Sequence, residues 1–189
     1  MDALQAISSR RSPARLTDPG PSRQTLDAAY AAALNAPDHG KLRPWKIIEI
    51  AGAARQAFGE LMAASAKRRD PQLAEAELTR EVQKAFRAPL IIVVATAAKL
   101  GHKIPVIEQV MSAACLTQNL ILALHASGFG SFWRTGAVAY DSEVKRELGL
   151  EPTDEIVGFI YVGTVAAAAP EPRRAEIADH VKVWRQPAA

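Results

Sequence analysis

Three arginines and a serine hydroxyl fall within six residues near the start of the chain, as Arg10, Arg11, Ser12 and Arg15. Guanidinium groups are planar forks of donors that match phosphate or carboxylate oxygens in pairs, and such charged hydrogen bonds exceed neutral ones in strength. By itself a basic run of this kind near a terminus is usually only a solvated face. Two other stretches offer similar chemistry. Residues 36–45 set His39, Lys41 and Arg43 beside Trp45, and residues 132–136 put Phe132, Trp133, Arg134, Thr135 and Gly136 in a row. An aromatic heterocycle with a phosphate tail would use all three stretches. Groups able to carry a reaction unaided are missing. No G-x-G-x-x-G or G-x-x-x-x-G-K-[ST] cradle occurs, no H-E-x-x-H, no G-x-S-x-G elbow and no paired carboxylates in one loop. If the chain is an enzyme, it supplies binding groups and something else supplies the chemistry.

The elements that must position these stretches can be read from the pattern. Residues 2–9 suit a short helix delivering the arginines. Ser22 suits an N-cap, and the helix after it carries Leu26, Ala29, Tyr30 and Ala33 on one stripe, ending before Pro37. Residues 45–50 read as a strand, and a helical region from Gly52 to about Phe86 breaks near Asp70-Pro71. Leu90 to Ala95 is a continuous apolar run, as expected of a central strand covered on both faces. Pro105 suits the N1 position of a helix running to Ser127 that is apolar nearly all round, with Gly128 as its C′ residue. Such a helix is covered on all sides, in part by a partner chain, and Met111 and Cys115 on it read as core filler. Asp141 should cap a short helix ending at Gly149. Gly158 and Gly163 in the strand over 156–163 suggest close backbone approach. The segment 181–184, with Trp184, could dock elsewhere. Helices and strands mix without strict β-α-β-α alternation, so the expected class is α+β.

Length and composition narrow the field. At 189 residues the chain suits a single domain, with 49% apolar and 23% charged residues. A net charge of +3 and only 6% aromatics give no stripe for nucleic acid. The lone Cys115 excludes an intramolecular disulfide and a thiolate cluster, and four scattered histidines show no metal-ligand spacing. Ser112, Thr117, Gln118 and Asn119 make the longest apolar stretch too polar for a membrane span, and Met1-Asp2-Ala3 is unlike a signal peptide. The expectation is a cytoplasmic protein with neither nucleic acid nor membrane as partner.

One resemblance covers nearly the whole chain. Met1-Asp2-Ala3-Leu4 with Arg10-Arg11-Ser12, Ala36-Pro37-Asp38-His39 with Pro44-Trp45, Phe86-Arg87-Ala88-Pro89, His102-Lys103-Ile104-Pro105, Gly128-Phe129-Gly130, Trp133-Arg134-Thr135-Gly136 and Ile156-Val157-Gly158-Phe159 run collinearly. Together they resemble the flavin-dependent nitroreductase family, within it the small YdjA-like branch; only the tail after about residue 165 lies outside the likeness. The resemblance implies an α+β fold with a central, mostly antiparallel sheet flanked by helices, assembled as an intertwined homodimer holding two FMN at the subunit interface. It implies FMN contacts from Arg10, Arg11 and Ser12 on the phosphate side, from Asn35 and His39 of the partner chain, and from Trp133, Arg134 and Thr135 against the flavin. Asn35 stands where the branch has arginine, so that contact loses its charge, and residues 40–43 also depart from the branch. The implied activity is NAD(P)H-dependent, ping-pong hydride transfer through flavin N5, with NADH or NADPH as donor. The acceptors would be small molecules such as nitro compounds or quinones. Alternatives are a flavoprotein with another role, in dehalogenation or flavin sequestration, or a basic non-enzymatic binding domain.

Overall fold

Strand β3 (Leu90–Thr96) is buried at every position and divides the core in two. Its side chains alternate as strand geometry requires. Ile91, Val93 and Ala95 enter one apolar cluster, while Leu90, Ile92 and Val94 enter the other. The computed structural model describes residues 1–167, 171 and 175–184. In it β3 lies between β2 (Lys46–Ala51) and β5 (Glu155–Val165), and every pairing is antiparallel. On the edge of β5 away from β3 runs β4 (Gly130–Arg134), and the two-residue β1 (Leu16–Thr17) pairs with the last residues of β5. This is the expected α+β architecture with a central antiparallel sheet.

Helices cover both faces. On one lie α2 (Arg23–Ala33) and α5 (Val106–Ala126), with α1 (Ala3–Ser9) against α5. On the other lie α3 (Ala54–Arg69), α4 (Glu75–Gln83) and α6 (Ser142–Glu147). A four-residue helix α7 (Ile177–His180) follows the sheet. Caps form as the sequence predicts. Ser22 accepts from the Thr25 amide, and Asp141 from the amides of Glu143 and Val144. Gly128 takes the left-handed backbone (φ 86) that ends α5. Pro105 is the N-cap rather than N1, so α5 begins one residue later than predicted.

Helix α5 departs further from expectation. One face is buried through Ala113, Leu116, Leu120, Ile121 and Leu124, together with the polar Gln109, Ser112 and Thr117. Its other face is open in the single chain: Ile107, Met111 and Cys115 are exposed at four-residue spacing. Met111 and Cys115 are therefore not core filler. Composition could not separate the faces, because an apolar side chain looks the same whether it meets its own sheet or a second surface. Exposed Leu4, Ile7 and Leu34 on α1 and after α2 add to the open apolar side chains. By length and composition α5 alone among the described helices could cross a membrane, but here it forms one layer against the sheet. Val181, Val183 and Trp184 dock on nothing described; each is exposed. The rest of the Ala- and Pro-rich tail lies largely outside the described residues.

Candidate active site

The arginine cluster sits at the start of β4. Capping-box bonds between Asp2 and Gln5 fix the first turn of α1, which delivers Ser9 and Arg10 to the last turn of α5. There the Ser9 hydroxyl lies 2.9 Å from His125 Nε2. The chain then passes Gly130, where a Cβ would come within 2.9 Å of Pro13 and 2.6 Å of Leu16. Only glycine lets the backbone approach this closely.

The cations here are short of partners. Arg10 Nη1 donates to Ser12 Oγ at 3.1 Å, and Arg11 Nη1 to the carbonyls of Ser8 and Arg10 at 2.8 and 3.1 Å. Among the described residues one carboxylate reaches the pair, the exposed Glu171 at 4.0 Å from Arg11. Burial, and then the charges of Arg10 and Arg11, hold the His125 imidazole below its ordinary range. The cluster thus carries uncompensated positive charge, half-buried, with free N–H donors. That is the donor set a phosphate monoester fits.

From this cluster β4 runs to Arg134, about 13 Å at the usual rise per strand residue. Among the described residues β4 pairs with β5 alone, leaving its outer edge open. The edge is firmly backed. Val157 is a bulge residue in β5, skipped between Val94↔Gly158 and Ala95↔Ile156, and its carbonyl accepts the Trp133 indole N–H at 3.1 Å. The indole lies over Gly158, where any Cβ would collide with it, and Gly163 is likewise crowded by Pro89 and the Thr17 carbonyl. Both glycines therefore serve the close approach read from the sequence.

The alternation of β4 splits the third predicted stretch. Trp133, opposite Ile160, faces the α5 side and is half-buried there. Arg134, opposite Phe159, faces the α3 side, where its guanidinium stacks on Phe132 at 4.2 Å. Exposed Thr135 follows at the end of the edge. So Trp133 and Arg134 face opposite sides of the sheet, and the Arg134 side chain, together with Thr135, lines a cavity on the α3 side, away from Arg10, Arg11 and Ser12. On the β4 edge Arg134 retains only its main chain.

Asn35 and His39 lie elsewhere. Asn35 follows α2 and donates to the Ala31 carbonyl at 2.8 Å. The loop after it is tied to the first half of α5: Ser112 donates to the Pro37 carbonyl at 2.7 Å, and His39 Nδ1 sits 2.6 Å from a Glu108 carboxylate oxygen. The Asp38 carboxylate accepts from the amides of Leu42 and Arg43, holding a loop in which Gly40, Lys41 and Arg43 all have positive φ. Glu108 and His125 mark opposite ends of α5, about 25 Å apart at the helical rise. Within one chain His39 and Arg10 cannot hold the same small ligand. Sequence reasoning missed Ser9 and His125, and could not decide whether Glu108 shapes a site or pins the start of its helix; each is a single polar residue whose partner is distant in the chain.

A layered α+β sheet with an open strand edge and a group of arginines short of carboxylate partners near its start suits a small-molecule-binding domain. The comparisons narrow it: residues 7–164 match the nitroreductase family model, and the chain belongs to the nitroreductase family. It is 38% identical over 168 residues to YdjA of Escherichia coli (strain K12), provisionally designated an NAD(P)H nitroreductase, covering 87% of this chain and 88% of that protein. A Haemophilus influenzae relative with the same provisional designation is 34% identical over 165 residues. Among solved structures, a nitroreductase-like family protein from Bacillus cereus superposes with a TM-score of 0.83 at 22% identity, covering 97% of this chain and 96% of that one. The FMN-dependent nitroreductase NfnB from Mycobacterium smegmatis, solved with NADPH, gives 0.75 at 18% identity, covering 97% and 98%.

Proposed function

We propose that this protein is a cytoplasmic, homodimeric FMN oxidoreductase that takes hydride from NADH or NADPH and passes it to nitro compounds, quinones or similar small acceptors in a ping-pong cycle. The observation that carries the reading is the Arg10–Arg11–Ser12 group, short of carboxylate partners, at the head of the open β4 edge in a chain of the nitroreductase family. Bound FMN would supply the hydride chemistry itself, accepting from the nicotinamide and donating to the second substrate.

What remains for the protein is binding and electrostatics. Arg10, Arg11 and Ser12 would hold the phosphate. The main chain of Arg134 and Thr135 would be available to the flavin ring, and the Trp133 indole, its N–H already committed to Val157, backs that strand. No side-chain acid or base is needed within this set, consistent with the absence of paired carboxylates in the sequence.

The second copy follows from the length of α5. Pairing two α5 helices antiparallel about their midpoint, with Ile107, Met111 and Cys115 of one against the Gln118, Leu122 and Ala126 half of the other, would set the His39 loop of one protomer near the Arg10 cluster of the other, and do so twice. Each site then takes Asn35 and His39 from the partner, with Asn35 offering an uncharged amide. The open apolar residues of α5 and α1 support this reading, since exposed apolar patches mark association surfaces.

Anaerobic titration of purified yellow protein tests the proposal. Bleaching by NADH or NADPH, with colour restored by a nitroaromatic or a quinone, is the expected result. Yellow protein that resists both donors would instead favour a flavin-binding role without this reaction. Colourless protein that refuses added FMN would leave only a non-enzymatic binding domain.

A further inference from the structure

On the far side of the sheet from Arg10, a cavity of about 140 Å³ lies between β4, β5, α3 and α4. Arg69, Lys84, Arg87 and Arg134 line it, against one carboxylate, Glu81. That carboxylate is committed to Lys84 at 2.5 Å, and Arg69 donates to Ser65 Oγ at 2.6 Å. Arg87 and Arg134 are different. Neither side chain has a hydrogen bond or ion pair among the described residues. Arg134 is half-buried, and its stacking on Phe132 fixes the guanidinium plane while leaving the N–H fork free. Beside them Tyr161 lines the cavity, and its hydroxyl makes no hydrogen bond among the described residues.

A hydroxyl that opens into the cavity with no hydrogen bond, beside two mutually repelling guanidiniums, leaves donors from three side chains that one oxyanion would answer. Burial, followed by the charge of Arg87, draws Arg134 below its ordinary value, while burial pushes Tyr161 up against the pull of both arginines. The neighbouring carboxylate does not relieve this crowding: Asp141 is held by Ser65 and Arg68.

We propose that Arg87, Arg134 and Tyr161 form a second oxyanion site, distinct from the Arg10 cluster, that takes a phosphate group of a small molecule. The group could be free phosphate or the 2′-phosphate of a nucleotide. Thermal melts of the protein as purified, in inorganic phosphate or adenosine 2′-phosphate against sodium chloride of equal ionic strength, test it. Both ligands should raise the Tm of the unaltered protein if the site reads the phosphate group alone; a rise with only one assigns the source. Arg87→Gln changes an exposed side chain and should fold normally, yet shift the phosphate dependence by about tenfold or more. Tyr161→Phe should shift it less, and Arg10→Ala should leave that Arg87-dependent part intact. An Arg87→Gln protein that responds as the unaltered one does, or no response to either ligand, would overturn the proposal. Because Arg10→Ala separates the two sites, neither result bears on the flavin reading.

Discussion

At the first turn of α5 His39 is matched with Glu108 at 2.6 Å, whereas at the last turn Arg10 and Arg11 crowd His125 and, among the described residues, only Glu171, at 4.0 Å from Arg11, answers them. One end is electrostatically closed within the chain; the other is left with positive charge. The difference teaches what each end can do in a shared site. The closed end can position a neutral donor or acceptor without changing its charge. The open end can hold an anion, and gains by doing so, because the anion replaces repulsion with charged hydrogen bonds. Along the first half of α5 runs an apolar stripe, Ile107, Met111 and Cys115, left open by the described residues. The stripe is what would let two unlike ends, about 25 Å apart in one molecule, meet across a dyad.

The largest effect should come from breaking that stripe. Met111 is 60% exposed in the single chain. Met111→Lys should therefore leave the protomer folded while weakening association by about 3–5 kcal/mol, the cost of an unpaired buried charge. Sedimentation equilibrium would read it, and an unchanged dimer would mean the stripe is not the interface. Next in size is the open end. Arg10→Ala should lower FMN affinity by about 1.5–3 kcal/mol, as for a charged hydrogen bond. The closed end should matter less, with His39→Ala costing about 0.5–1.5 kcal/mol in the same titration. Equal losses at the two ends would erase the distinction drawn between them.

The smallest signal is the most local. His125 is held low in part by the arginines, so an anion placed on them should raise its pKa, followed by the imidazole proton shifts in NMR on adding FMN. The sign for stability follows. A histidine held below its unfolded value near 6.5 favours the fold above that pH, and the contribution fades as pH falls from there toward the folded value. In the flavin-free protein the loss should be larger, and continue to lower pH, than in the loaded one.

Much of the fold was legible because local signals agreed. Ser22 and Asp141 cap where hydroxyl and carboxylate should, β3 was marked by its unbroken apolar run, and Gly158 and Gly163 by their place in a strand. The candidate site was legible only in part. Arginines near a serine announce an anion site by type, but strand alternation, which turns Arg134 away from Trp133, acts on side chains that are neighbours in sequence. Nor could spacing reveal that His39 belongs with Glu108, or Arg10 with His125, because those pairs are made by the docking of loops onto α5. Met111 and Cys115 were misread for a related reason: hydrophobicity says that a side chain should be covered, not by which molecule.

Whether Arg10 and His39 serve one site from two chains can be tested by mixing. Arg10→Ala and His39→Ala chains, co-expressed with separate tags, would be purified as the hybrid dimer and titrated with FMN. If the residues meet across the dyad, one site of the hybrid carries both lesions and the other carries neither. The account predicts one FMN per two chains bound with unaltered affinity. Weakened binding at both sites, with none at full affinity, would contradict it.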